Sequence, residues 1–247
     1  MKYTGPTNVG GIMKLKNDET SKDPRLDRLI DFDPRNKNYP VRELVKTKKH
    51  RSYTWRCGIQ LDQGHDGACV GFAVAHELAA RPAEVKDIDE QYAKEAIYWD
   101  AQKIDSWVGG EYPGADPRYS GTSIIAGVKA AQRYGWFNEY RWAFGINDLI
   151  LGVGHNGPAV IGVGWYSGMM EPDENDFINV SGNLLGGHAV LCNAVSVKKQ
   201  RFTIHNSWGS SWGKNGECYI SFDDMERLLD EEGEAVFFLK RHNLPKR

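Results

Sequence analysis

A glutamine, a turn bounded by glycines and a lone cysteine stand together in Gln63-Gly64-His65-Asp66-Gly67-Ala68-Cys69, just ahead of an apolar run. At the start of a helix, the Cys69 thiol would meet unpaired N–H groups whose partial positive charge favours thiolate. A thiolate attacking a carbonyl needs a base, a group that orients the base, and donors for the developing oxyanion. Of the seven histidines, His188 stands out. In Leu184-Leu185-Gly186-Gly187-His188-Ala189-Val190 it heads a strand behind two small residues that leave room for a substrate. His65 is close to Cys69 in sequence but lies on the wrong side of the turn to serve both the sulfur and an orienting amide.

These residues depend on the elements that carry them. Cys69 to Ala80 (CVGFAVAHELAA) reads as a helix that is apolar nearly all round, hence central and buried, and that Arg81-Pro82 ends. A second helix is expected from about Asp89 to Asp105. Thr122 reads as the N-cap of a helix over Ser123–Tyr134, with Gly135 at its C′ position, and Asn147 as the cap of a short helix that ends by Gly157. The pattern then changes. Pro158–Trp165, His188–Val197, Arg201–Asn206, Glu217–Ser221 and Glu234–Lys240 read as strands, with one helix at about Phe222 to Glu231. The tight connection Val197-Lys198-Lys199-Gln200 pairs two of these strands antiparallel. That brings Asn206 within a few residues of facing His188, where its amide could hold the imidazole without carrying charge.

Helices first and strands afterwards suggest an α+β fold in two lobes with a cleft between them. The expected division is a helical lobe at about 51–145 and an antiparallel, barrel-like β lobe at about 146–247. Residues 1–50 are polar and read as an N-terminal extension that wraps the domain or is processed. Within it Lys46-Thr47-Lys48-Lys49-His50-Arg51 is a basic run, read as a solvated linker, a processing site or an anion contact. Apolar content of 40% and charged content of 26% are those of an ordinary soluble globular protein. A net charge of −2 offers no bulk attraction for nucleic acid or an anionic membrane. The start Met1-Lys2-Tyr3-Thr4-Gly5-Pro6 has no apolar segment of the secretory type, and no stretch approaches the roughly 20 apolar residues of a membrane span. The four cysteines form no C-x-x-C pair and no metal-ligand spacing. Free thiols in a reducing, cytoplasmic setting are the simplest expectation, with one disulfide among Cys57, Cys192 and Cys218 left open. No cofactor is expected, and the oligomeric state stays open.

Cys69, His188 and Asn206, together with Asn206-Ser207-Trp208-Gly209-Ser210-Ser211-Trp212-Gly213-Lys214-Asn215-Gly216, resemble the papain-like (C1) cysteine peptidases. Gly67-Ala68-Cys69 is similar to the family's nucleophile signature, and Gln63 precedes the cysteine by the spacing of the family's oxyanion-hole glutamine. Ser120-Gly121-Thr122-Ser123 resembles the segment that binds substrate backbone in bacterial and phage members with short extensions. Two positions depart from the pattern. Asp66 stands where a disulfide-forming cysteine is usual, and Val70 where an aromatic residue follows the nucleophile. His188 also follows Cys69 at a shorter spacing than the family's, which implies trimmed loops.

The resemblance implies a two-lobed papain-like fold and thiol-dependent hydrolysis of peptide bonds in a peptide or protein substrate. Cys69 would be the nucleophile, paired as thiolate with imidazolium of His188, an arrangement that lowers a thiol from about 8.5 to roughly 3–4. His188 would protonate the leaving amine and then activate water, Asn206 would orient it, and Gln63 with the Cys69 N–H would hold the oxyanion. Trp208 would cover the Asn206–His188 bond, Trp212 would wall the leaving-group side, and Gly121 would admit the substrate backbone closely. No metal is implied. A phage or bacterial relation would place such a protein in a host cytoplasm or a virion. An amidase, deamidase or acyltransferase would use the same thiol chemistry with another acceptor, and a binding module on a peptidase fold would use none of it.

Overall fold

The computed structural model describes residues 23–242; the reading of Met1–Pro6 and the start of the expected extension lie outside them. In chain order the elements are β1 (Arg28–Leu29), β2 (Tyr53–Thr54), α1 (Cys69–Ala79), a π-helical stretch (Tyr92–Tyr98) continued by α2 (Trp99–Gln102), β3 (Thr122–Ser123) and α3 (Ile124–Arg133). They are followed by β4 (Phe137–Ala143), α4 (Ile146–His155), β5 (Ala159–Tyr166), β6 (Leu184–Ser196), β7 (Arg201–His205), β8 (Glu217–Ser221), α5 (Phe222–Asp230) and β9 (Glu234–Arg241). One antiparallel sheet of seven strands runs in the order β4-β9-β5-β6-β7-β8, with β2 on the far end of β6. Among the described residues no ladder joins β4 to β8, so the sheet is open rather than a closed barrel.

Among the described residues two large apolar clusters form the core, beside a small third one of Ala101, Ala126 and Ala130. One gathers the buried side chains of α1, the π-helical stretch and α3; the other lies between the sheet, α4 and α5. Every residue of α1 is buried, as a helix apolar all round requires. Two glycines set how closely its neighbours approach. A Cβ at Gly71 would stand 2.5 Å from the Ala93 carbonyl and 2.7 Å from Tyr98 Cβ, so the widened π turns lie directly on α1. A Cβ at Gly127 of α3 would stand 2.6 Å from Val70 Cγ1. The small Val70 side chain, where the family has an aromatic, therefore fits a close helix–helix contact.

Several boundaries differ from the sequence reading for local reasons. The Asp89 carboxylate accepts from the Tyr92 N–H at 2.8 Å and starts the second helix, but its middle is π-helical and regular α-helix ends at Gln102. Ser123, not Thr122, caps α3, because the Thr122 hydroxyl is engaged by the Asp105 carboxylate at 2.7 Å. Asn147 lies inside α4, whose cap is Gly145 at φ 103°, a backbone conformation that favours glycine. β6 begins at Leu184, ahead of the expected His188. β4 has no counterpart in the strand pattern.

The α1 contact has a measurable cost of crowding. Gly71→Ala should lower stability by about 1–3 kcal/mol in urea unfolding. Gly58→Ala, where no atom lies within 4 Å of the added carbon, should change it by less than about 0.5 kcal/mol.

Candidate active site

The turn ahead of α1 is built as a rigid arm. The Gln63 N–H donates to the Ser207 carbonyl at 2.8 Å, and Asp62 bridges to Trp208 in antiparallel fashion. The Gln63 side chain is fixed by its oxygen, which accepts from the Ser207 hydroxyl at 2.7 Å. Its amide nitrogen is thereby turned toward the cleft, donating to the Asp66 carbonyl at 2.6 Å and to the Arg25 carbonyl at 3.3 Å. Asp66 itself forms an ion pair with Lys94 at 2.7 Å, an electrostatic tie between this turn and the π-helical stretch. Cys69 is the first residue of α1, and its N-cap, Ala68, offers no side-chain acceptor to the first-turn amides. The thiol lies against β6, where it is hydrogen-bonded to the backbone of Ala189. His65 is exposed, away from the sulfur's buried surroundings.

His188 is the residue before Ala189 on β6. Its Nε2 is 2.8 Å from Asn206 Oδ1. The same oxygen accepts the Ser207 N–H at 2.8 Å, and these two donors set the amide so that Nε2 carries the ring proton. The hairpin β6–β7 makes this contact. Leu191 faces His205, so the residue after β7 reaches back along β6 toward His188. Aromatic rings enclose the pair. Trp165 meets the imidazole edge-on at 4.7 Å, Trp208 lies over it at 4.9 Å, and Trp212 packs edge-on against Trp208 at 5.6 Å. Trp212 is anchored by its indole N–H, which donates to the Met170 carbonyl at 2.7 Å. Trp165, on β5, completes the enclosure and was not singled out in the sequence, where it reads only as the last residue of an apolar strand.

The cleft between the two halves is filled by the chain itself. Residues 25–29 run between them: Asp27 bridges in parallel to Gly187, and β1 pairs in parallel with β3, Arg28 opposite Thr122 and Leu29 opposite Ser123. Leu26 is buried within the strand-lobe cluster, and the Arg25 guanidinium sits 4.1 Å over the Trp208 ring. Gly121, at φ 92°, and Gly187 form the walls. A Cβ on the first would collide with the Asp27 carbonyl, and one on the second with the Arg28 carbonyl. Gly121 is held from behind, donating its N–H to Tyr98 Oη at 2.8 Å and accepting from the Gln102 amide at 3.0 Å.

Burial decides the protonation of the site. Burial pushes the Cys69 thiol up to about 12, outweighing the hydrogen bonding from the Ala189 backbone that favours thiolate. Burial likewise presses His188 down to about 4, against the opposing effect of its bond to Asn206. With the segment in place both groups are neutral near pH 7, not the ion pair that the resemblance implies. The physical reason is the removal of water from both. All four cysteines are free thiols, and Cys57, Cys192 and Cys218 take no part in the cleft. Among the described residues no group of three or more His, Cys, Asp and Glu side chains is arranged to hold a metal ion, and no helix is long and apolar enough to cross a membrane.

No protein-family model matches the chain. A curated relative, the Acanthamoeba polyphaga mimivirus protein named uncharacterized peptidase C1-like protein L477, is 23% identical over 203 residues. That match takes in 64% of this chain and 62% of the relative, so the chain spans less than two thirds of its length. Among solved structures, xylellain, a cysteine protease from Xylella fastidiosa, superposes with a TM-score of 0.68 at 16% identity, over 92% of this chain and all of that one. Procathepsin B S9 from Trypanosoma congolense does so at 0.55 and 13% identity, over 94% and 87% of the two chains. With its helical and strand halves meeting at Cys69 and His188, the chain has the papain-like fold.

Proposed function

We propose that the protein is a cysteine peptidase that cleaves peptide bonds through a thioester on Cys69, and that residues 25–29 hold it closed. One observation carries this reading. A peptide carbonyl, that of Arg25, already rests 3.3 Å from the Gln63 amide, in a cleft whose walls include the Cys69 thiol and the His188 ring. The site accommodates an extended peptide backbone, which favours a peptide substrate over a small amide. The C1-like relative and the protease neighbours support the same class.

The chemistry follows from what each group can do once the segment has moved aside. Water returns to the cleft, the desolvation penalty on both charged forms falls, and the free amides at the start of α1 favour thiolate. Its proton passes to His188, whose ring is held by Asn206 and screened by Trp208. The sulfur attacks the substrate carbonyl, and the oxygen takes up negative charge between the Gln63 amide and the Cys69 N–H. His188 then gives its proton to the departing amine. In the second half it takes a proton from water, which attacks the thioester, releases the acid and restores the thiol.

Three outcomes test this reading. Cys69→Ala should abolish both peptide hydrolysis and labelling by a thiol-directed epoxide, and Gln63→Ala should lower kcat by about 10²–10³ with a smaller effect on KM; hydrolysis that survives Cys69→Ala removes the assignment. Leu26→Asp withdraws an apolar anchor worth about 1.5–3 kcal/mol, so iodoacetamide should reach Cys69 roughly ten- to a hundredfold faster in that variant. The third concerns pH. In Cys69→Ala, where no thiolate pairs with the ring, closure lowers His188 from an ordinary 6.5 to about 4, so the closed form is fully favoured above pH 6.5 and weakens as pH falls toward 4. In that variant the amides of residues 26–29, corrected for intrinsic exchange, should open about tenfold more often at pH 5.5 than at pH 7.5. His188→Asn should remove that dependence.

A further inference from the structure

His76 follows Cys69 by about two turns of α1 and lies on the same face of the helix. It is fully buried, and its ring joins α1 to the arm that carries Gln63. His76 Nε2 accepts the Leu61 N–H at 3.1 Å. The Leu61 carbonyl accepts the Gly209 N–H at 3.3 Å, and the Gln63 N–H donates to Ser207, so one edge of the arm is laced to the loop after Asn206. On the other edge the Asp62 N–H reaches the exposed Glu90 carboxylate only at 3.4 Å. His76 therefore makes the buried tie on the side away from that loop. With Nε2 as acceptor, a neutral ring carries its proton on Nδ1.

The surroundings offer the ring no stabilised charge. From β7 the His205 ring meets it edge-on at 4.4 Å, and His205 Nδ1 lies 3.2 Å from the Glu217 carboxylate of β8. That carboxylate also accepts from the Asn193 amide at 2.7 Å. On α1 the neighbouring Glu77 carboxylate pairs with Arg241 of β9 at 3.2 Å, and the Cys57 thiol donates to the His76 carbonyl at 3.5 Å. None of these groups is hydrogen-bonded to His76 Nδ1, which is buried without a partner among the described residues. Burial, and then the charge of a protonated His205, hold His76 well below the ordinary imidazole range. A proton on Nε2 would set donor against donor at the Leu61 N–H, and the arm would lose its buried tie.

We propose that His76 is a positioning residue of the peptidase: as a neutral acceptor it fixes Leu61 and so aims the Gln63 amide at the oxyanion, and acid releases that aim. His76 touches no reacting atom, since it stands about 10 Å along the helix from Cys69. The inference rests on the peptidase reading for its effect on turnover, but the anchoring is read without turnover.

Anchoring is followed by hydrogen exchange of the Leu61 amide in the full chain carrying Cys69→Ala, corrected for intrinsic rates. Opening exposes the ring and returns it toward 6.5, so the docked arm is fully favoured above pH 6.5 and weakens below it. Leu61 should open about tenfold more often at pH 5.5 than at pH 7.5, with the buried β6 amide of Leu191 changing less. His76→Gln, whose side-chain oxygen accepts in place of Nε2 without titrating, should remove the difference. Turnover is measured at pH 7.5 in the full chain carrying Leu26→Asp. There His76→Leu should lower kcat about 10- to 100-fold with a smaller effect on KM, and His76→Gln by less than about threefold. In the Gln63→Ala background His76→Leu should cost less than about twofold more, because the amide it aims is gone.

Hydrolysis with Leu61 opening independent of pH, with a dependence that survives His76→Gln, or with an equal fall in kcat with and without Gln63 overturns the proposal and keeps the peptidase. No hydrolysis by any variant, with the exchange difference present and lost in His76→Gln, removes the peptidase reading and keeps His76 as the acid-labile anchor of the arm. The pH comparison needs no change at position 76, so it stands where His76→Leu does not fold.

Discussion

The hydrogen bond between His188 and Asn206 is made without access to water, and much of the chain is arranged to keep it so. A buried imidazole and a buried amide are costly unless each meets a partner of the right geometry. β6 and β7 provide that geometry by register, and Trp165, Trp208 and Trp212 exclude solvent around it. The loop that delivers Asn206 also delivers Ser207, which fixes the Gln63 amide from the other side of the cleft. Gln60 closes the circuit by donating to the Asn206 carbonyl at 2.9 Å. The Gln63 turn and the Asn206 amide are therefore one connected unit, and a shift in one is a shift in the other.

The thiol shows which electrostatic effect prevails in the closed form. The start of α1 favours thiolate by about 0.3–1 kcal/mol, up to about 2 in buried geometry. Burial moves Cys69 from 9.0 to about 12, on the order of 4 kcal/mol in the opposite direction. Desolvation wins by a margin no helix end can offset, so Cys69 is held as a neutral thiol in the closed arrangement.

Much of this arrangement is written in local signals. The turn before Cys69, the all-apolar α1 and the tight β6–β7 connection are short-range features, and they suffice to foretell an α+β chain with Asn206 near His188. What escapes the sequence is long-range or of mixed character. Residues 25–29 (RLDRL) mix charge and leucine without strict alternation, over too few positions to signal a strand, and Arg28 meets Glu234 at a separation of 206 residues. β4 (FNEYRWA) forms a ladder with β9 alone, its other edge meeting the chain only at the bridge from Trp142 to Pro40, and it lacks both the clean alternation of a half-buried strand and the apolar run of a central one. The cap of α3 moved by one residue because Thr122 found the Asp105 carboxylate, a tertiary partner no local pattern reveals.

The segment in the cleft is joined to the body through Tyr39–Val41, which lie against β4 and α4, and then through the exposed basic stretch from Lys46 to Arg51. A ligand on such a tether meets its site at an effective concentration on the order of millimolar, whatever the concentration of the protein. Free peptides must compete with that value while the chain is continuous. One break in the chain between the segment and α1, together with loss of the Tyr39–Val41 anchorage, would alter none of the contacts inside the cleft, yet it would turn an intramolecular equilibrium into a bimolecular one. Dilution alone would then empty the cleft.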